Sequence, residues 1–550
     1  MSDIARMTVA AMQAHGIERL FCLPGVQNDD FFDALYDAQG AIRPFVARHE
    51  QACSYMAVGA ELATGKPQAY CVVPGQGVLN AAAGHSIAFA TSSRIFALIG
   101  QIPTSTLGKG IGMLHEIGDQ TACLRTISKR IEEIRGPDGA VEAAARALTA
   151  ATTGIPAPAV LEIPVTEWAK PVEWTDADLR AEAERLPLPE AALDAAAEAL
   201  AKAERPMIFA GGGARNVQRV LTELAETLGA PVTGGWNGKG AVDARHPLWL
   251  ELPPAHQLWP EVDVVLGVGT RMLPMREWGT DDALTSIVLS SNPNAAALAK
   301  ASQHVEALAE DALPALLARV KALRSKPADW SGRIAAERET FLEQVEAVSP
   351  QMDHVRALRA ALGEDGVLVE DLTQVGFAAR YAYPAYRPRT FIGNGYSGAL
   401  GWGYAASLGA KAALPGTPVV SIQGDGGFMY GSNEIATAVH HGINAVAVVY
   451  DDGAYGNVKR IQQQRFGHNR TIVSDLTNPD FVAYARSFGA LGLEAEDGPG
   501  LQQALEEALA AETPAVIRVP VPTPMSSPWP FLFLRGGRGA AGPTRRETSL

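Results

Sequence analysis

Asp425 and Asp452 stand 27 residues apart, each beside glycine just beyond an apolar run, in GDGG at 424–427 and DDGAYGN at 451–457. The text around them reads as a strand over 418–423, a Gly-rich turn, a helix and a second strand over 445–450. Ser432 or Asn433 is the expected helix N-cap, His440 and His441 fall near its negative end, and Gly442 is its stop. A right-handed crossover brings both strand ends to one edge of a sheet, where α/β folds bind ligands, so the two carboxylates converge. Gly424, Gly426 and Gly427 leave backbone N–H groups open to an anion, yet Asp425 would repel a diphosphate unless a divalent cation stood between them. Mg²⁺ takes hard oxygen ligands from carboxylate and phosphate together, so a diphosphate held through Mg²⁺ meets both conditions. Alone, GDGG after a strand is also the text of a tight turn; the second acid favours the ligand site.

The chain that must position these groups has 550 residues, 47% of them hydrophobic and 19% charged, with a formal net charge of −14. At about 100–200 residues per domain, that length predicts about three or four domains, each large enough for its own core. The acidic balance argues against a nucleic-acid partner, which would need a basic face. Cys22, Cys53, Cys71 and Cys123 show no CxxC spacing and read as buried free thiols. Asp3, Arg6 and Glu18 interrupt the N-terminal apolar pattern, so no secretion signal is read there, and no charge-free apolar window suits a membrane span. A cytoplasmic enzyme is the expectation.

Helical text alternates with short apolar runs such as 69–73 and 95–99 through about residue 165, the rhythm of a parallel α/β sheet. Prolines and charges over 166–190 mark a boundary. A second unit carries strands at 206–210, 264–268 and 286–290, and a charged stretch ending at residue 350 links it to a third. The expected domains are 1–168, 189–330 and 351–522, followed by an irregular tail over 523–550. Within the tail, Trp529, Phe531, Leu532, Phe533 and Leu534 are expected to cover a neighbouring surface.

GDG, a spacer of this length and then the pair at 451–452 resemble the signature of the thiamine diphosphate enzymes of the acetolactate synthase and 2-oxo acid decarboxylase superfamily. The resemblance implies an α/β chain of three consecutive Rossmann-like parallel-sheet domains: pyrimidine-binding, central and diphosphate-binding. It implies that Asp425, Asp452 and the carbonyl of Ala454 hold Mg²⁺, with Gly424, Gly426, Gly427 and Tyr455 around the diphosphate. Asp-Asp stands where the family usually has Asn-Asn, and the added charge would shift metal affinity or preference. Thiamine diphosphate also needs a carboxylate at its aminopyrimidine ring. VARHEQACSYMAVGAELATGKP has the form in which the family supplies it, which selects Glu50, although a Glu in a helix's first turn is ordinarily a solvated acid. The same resemblance places Glu50 and the metal motif on different subunits of a homodimer or homotetramer. GNGYSGALGWGYAASLGAKAA resembles the segment ending over the thiazolium, with Leu400 as the apolar wedge and the Gly398 carbonyl facing the 4′-amino group.

CLPGVQNDDFFDAL resembles the first substrate loop, and Val26, which cannot move protons, occupies its variable position; Gln27 is the nearest polar alternative. GQIPTSTLGKGIGMLHEIGDQ is close to the acetolactate synthase text GQVPTS…FQE, with Leu114 for Phe and His115 for Gln. His115 is a candidate acid–base group; the alternative is a loop histidine bonded to Glu116 or Asp119. Gln76 and His85 border the same region, and His85 also fits a packed interior histidine. In the central unit, MIFAGGGARN and VVLGVGTR are strand-to-Gly turns outside the GxGxxG fingerprint. Family members bind FAD, ADP or nothing there, and SSN after the strand at 286–290 replaces an acid, so obligatory FAD is not expected. The reading is a carboligase or lyase of 2-oxo acids, acetolactate synthase-like, with decarboxylation or 1,2-diketone hydrolysis as enzyme alternatives. A non-catalytic cofactor- or nucleotide-binding homologue is the alternative of another class.

Overall fold

Runs such as Ile95–Gln101 and Val446–Asp451 are buried along nearly their whole length, the pattern of strands covered by helices on both faces. The computed structural model describes residues 3–38, 40–183, 185–521, 525 and 537–539, and shows three parallel sheets. The first runs Arg43–Val46, Arg19–Cys22, Gln68–Val72, Ile95–Gln101, Ala159–Pro164, Arg130–Glu133. The third repeats that order with Phe391–Gly393, Val367–Glu370, Val419–Gly424, Val446–Asp451, Ala515–Pro520, Leu491–Glu494. The middle sheet differs: Gln303–Val305, Thr285–Leu289, Val264–Val268, Pro206–Ala210, Val232–Gly234. Three Rossmann-like α/β units in series are therefore present.

The first and third units share one hydrophobic core. Their helices Glu50–Thr64 and Gly403–Ala413 approach so closely that a Cβ on Gly59 would lie 2.0 Å from the Ala406 carbonyl oxygen, and one on Gly409 1.8 Å from that of Met56. Only glycine allows that crossing, and it seats the Glu50 helix on the third unit.

Several local expectations change. The turn after Val419–Gly424 is a short helix, Asp425–Phe428, and the following helix is Ile435–His441, entered through a 3₁₀ turn at Ser432–Glu434. Much of the second linker is the helix Ser331–Glu346, which buries Ile334, Phe341 and Val345. The first linker packs Trp168 and Leu179 into the first core. Cys22, Cys53 and Cys71 are buried, but Cys123 is exposed. No helix among the described residues is long and apolar enough to cross a membrane. Trp529 and Phe531, Leu532, Phe533 and Leu534 of the tail lie outside the described residues.

Candidate active site at two sheet edges

The carboxyl edge of the first sheet gathers Glu50, Gln27 and His115. Glu50 opens the helix Glu50–Thr64 behind His49, whose ring accepts from the Gln51 N–H at 3.1 Å. It is half-buried, not a fully solvated acid, and its Oε2 accepts from Asn80 Nδ2 at 3.1 Å. The turn leading into Glu50 is fastened from the third unit. The Arg48 N–H donates to both oxygens of the fully buried Glu434, at 3.2 and 3.1 Å, and Thr437 Oγ1 donates to it at 2.5 Å. Burial pushes the Glu434 carboxyl above its usual range. His441, expected only to end its helix, also reaches the first unit: its Nε2 accepts from the Val46 N–H at 2.8 Å.

His115 bonds neither Glu116 nor Asp119. Glu116 folds back to accept from Gly110, Gly112 and Met113 N–H groups at 3.0, 2.7 and 2.9 Å, and Asp119 caps a helix through the Ala122 N–H at 2.8 Å. His115 Nδ1 instead meets Gln27 Oε1 at 3.1 Å. Val26 is exposed beside it. His85 is an interior residue between the Tyr70 hydroxyl and Ser128 Oγ, with its pKa pushed down to about 3 by burial.

The third sheet's edge is acidic. Asp425 is buried; its Oδ1 accepts from the Gly426 N–H at 2.7 Å and its Oδ2 from Asn478 Nδ2 at 2.6 Å. Asn478 Nδ2 also donates to Asp451 Oδ1 at 2.7 Å, and Arg518 Nε donates to Asp451 Oδ2 at 2.8 Å. Both oxygens of Asp451, the extra carboxylate of the Asp-Asp pair, are thus engaged by Asn478 and Arg518, while its charge still adds to the upward shift of Asp425 and Asp452. Asp452 accepts from the Ala454 N–H at 3.1 Å. Burial, then the charge of Asp425, pushes the Asp452 carboxyl up to about 6, and burial also raises Asp425. Desolvated like charges of this kind are relieved by a cation.

Among the described residues no three His, Cys, Asp or Glu side chains form a metal cluster. Two carboxylates and a backbone carbonyl, completed by ligand oxygens, still suit a hard cation such as Mg²⁺. Leu400 is half-buried and stands over Gly427: a Cβ there would lie 3.3 Å from its Cδ1. Asp371 holds the loop carrying Leu400 by accepting from the Gly401 and Gly403 N–H groups, each at 3.1 Å, and burial pushes its carboxyl up to about 6. Gly398 has open space where a Cβ would stand, and the Tyr455 ring covers Gly426. These donors and this clearance fit a diphosphate-bearing cofactor.

Sequence reasoning missed Asp371, Glu434, Asn478 and Arg518. Arg518 alone carried a signal, a charge inside the apolar strand Ala515–Pro520. The middle sheet's edge holds a separate cavity of about 910 Å³, lined by Arg215, Trp236, Arg271, Ser290, Ser291 and Arg389. Arg215 is pushed down to about 9 by burial and by Arg389.

Three thiamine pyrophosphate enzyme models match in series: the N-terminal TPP binding domain over residues 2–123, the central domain over 193–318 and the C-terminal TPP binding domain over 371–519. A "probable 2-ketoarginine decarboxylase" of Pseudomonas aeruginosa is 31% identical and covered to 90%, as is this chain. A "probable acetolactate synthase large subunit" of Methanocaldococcus jannaschii is 28% identical, over 94% of this chain and 91% of its own length. The acetolactate synthase isozyme 3 large subunit of Escherichia coli is 26% identical, over 92% of each chain.

Proposed function

The chain belongs to the thiamine pyrophosphate enzymes, and from that premise we propose that it uses thiamine diphosphate and Mg²⁺ to make or break the C–C bond beside the carbonyl of a 2-oxo acid. Carboligation of the acetolactate synthase kind is the first reading. The observation that carries it is the pairing of one polar edge around Glu50 with one acidic edge around Asp425 and Asp452.

Bound thiamine diphosphate supplies a nucleophilic carbon and an adjacent electron sink. The protein's part is to bind, orient and move protons. Asp425, Asp452 and the Ala454 carbonyl hold Mg²⁺ against the diphosphate, while Leu400 and the Gly398 carbonyl shape the cradle for the rings. Glu50 holds the proton at the aminopyrimidine nitrogen, and Asn80 steadies its carboxylate. Val26 and His115 face the substrate, with Gln27 behind the His115 ring. Glu50 of one subunit completes the metal edge of another. Supporting this, apolar residues around both edges are exposed: Val26 by 61%, Leu114 by 62%, Ile472 by 72% and Val473 by 85%.

Decarboxylation is the second reading, favoured by the ionisable His115 in place of the family's Gln and by the relative that is 31% identical. Retention of Glu50, Asp425 and an oxygen ligand at Asp452 argues against a non-catalytic homologue. The test offers pyruvate, 2-ketoarginine, other 2-oxo acids and 1,2-diketones, with thiamine diphosphate and Mg²⁺ present or chelated. Cofactor-dependent acetolactate supports the first reading, aldehyde with CO₂ the second, and acids from a diketone the hydrolase. Turnover without cofactor dependence overturns them all.

A further inference from the structure

The loop that carries His115 is held more firmly than a solvent loop needs. Glu116 clasps three of its N–H groups. Gly75, at φ 60°, lies so close that a Cβ there would stand 2.3 Å from the His115 carbonyl oxygen. His115 itself adopts φ 67°, a left-handed conformation that a non-glycine residue holds only when its surroundings impose it, as they do at functional sites. The ring is half-buried, and its Nε2 has no hydrogen-bond partner among the described residues.

Gln27 determines which ring nitrogen carries the proton. Its side chain is almost fully buried, and its own backbone carbonyl is fixed by the Trp168 indole N–H at 2.8 Å. Gln27 Nε2 lies 3.2 Å from the Leu114 carbonyl oxygen. That oxygen can only accept, so the amide NH₂ must face it and Oε1 must face the histidine. Oε1 can likewise only accept, and His115 Nδ1 lies 3.1 Å away. Nδ1 therefore carries the hydrogen of the neutral ring, and Nε2 keeps its lone pair.

We propose that Gln27 is a positioning residue that holds neutral His115 in the Nδ1–H tautomer, presenting a bare Nε2 as the acceptor for the hydroxyl proton that must leave when the product carbonyl re-forms. The inference deepens the proposed function and rests on it: the first-sheet edge faces the substrate. In the transfer, the O–H proton moves to Nε2 while its electron pair stays on oxygen and goes into the carbonyl bond, and the imidazolium then releases that proton to solvent and returns to the neutral Nδ1–H ring. A free imidazole prefers the opposite tautomer, with hydrogen on Nε2, which would offer the substrate a donor and no acceptor. Gln27 thus sets the direction of this proton transfer without touching the reacting atoms.

The experiment is ¹⁵N spectroscopy of the holoenzyme labelled at its 11 histidines, with His115→Gln used to assign the resonance. His115 is expected to show a protonated Nδ1 and an unprotonated Nε2. Gln27→Leu is expected to shift it towards Nε2–H and to slow 2-oxo acid turnover about 100-fold, with exchange of the thiazolium C2 proton unchanged. Gln27→Glu keeps an acceptor opposite Nδ1 but loses the NH₂ that donates to the Leu114 carbonyl, and is expected to restore the Nδ1–H and only part of the turnover. A residue that merely filled space would instead tolerate the apolar variant better than the charged one. His115 found as Nε2–H in the wild-type enzyme, or unchanged turnover in Gln27→Leu, would overturn the proposal. Wild-type C2 exchange in Glu50→Gln would overturn the functional reading and leave the tautomer result standing.

Discussion

The first and third sheets have the same strand order but carry opposite chemistry at their carboxyl edges. In each, the four strands at one side of the order supply the site, and corresponding ends can be matched. Gln27 corresponds to Asp371, Glu50 to the Gly398–Leu400 loop, Gln76 to Asp425, and His115 to Asp452. One edge has a single carboxylate among amides and imidazole; the other concentrates acids that burial leaves short of charge compensation. The fold provides the edge, and the residues in the loop past each strand decide whether it binds a cation or moves a proton. Substitutions at the two edges should therefore separate into losses of binding and losses of rate.

Asp425→Ala should have the largest effect. Removing a first ligand from the acidic edge is expected to lower Mg²⁺ and cofactor affinity, and with them turnover, by on the order of 10³-fold. Mn²⁺ binding followed by electron paramagnetic resonance checks this. Wild-type affinity in the variant would break the assignment of the acidic edge. Glu50→Gln should give the converse result: C2 proton exchange slowed about 100-fold or more, with metal and cofactor affinity close to wild type. A variant that lost binding and kept its exchange rate would reverse the comparison.

What was legible in the sequence follows from the range of the interactions. Strands could be read because burial on both faces imposes continuous apolar runs; Pro206–Ala210 and Val264–Val268 match the expected 206–210 and 264–268. GDGG and the later Asp-Asp were legible because a βαβ unit places them in a fixed relation. The groups that hold these residues in place were not. Arg48 and Glu434 are 386 residues apart, Gln27 and His115 are 88 apart, and Asn478 meets Asp425 across 53. No local period encodes such pairs. Glu434 looks like any acid at the start of a helix, and Asn478 like a turn residue before Pro479.

These fastening residues sharpen the contrast at smaller magnitude. Glu434→Ala removes the acceptor for the Arg48 N–H from a turn that ends in Glu50, and should slow C2 exchange about 10- to 100-fold while leaving Mg²⁺ affinity unchanged. Asn478→Ala should do the reverse, weakening Mn²⁺ binding about tenfold with C2 exchange of the saturated enzyme unaffected. If the two variants gave the same profile, the edges would not be independent.

The smallest effect near neutrality comes from protons competing with the metal. Burial and the neighbouring Asp425 charge hold the metal-free Asp452 carboxyl at about 6. A carboxyl raised in this way is protonated over a pH range where an ordinary aspartate is ionised. A ligand must shed that proton before it can coordinate, so binding releases protons. The sign follows: Mg²⁺ affinity rises as pH increases through about 6 and levels off above it, and falls about tenfold per unit below it for one competing proton. The fall is steeper where Asp425, also raised, begins to take up its own proton. At pH 7 about a tenth of the Asp452 groups carry a proton, so the loss there is slight. Titration calorimetry in two buffers of different ionisation enthalpy measures the protons released. Asp452→Asn should flatten the slope around pH 6, and a wild-type slope in that variant would place the competing proton on another group.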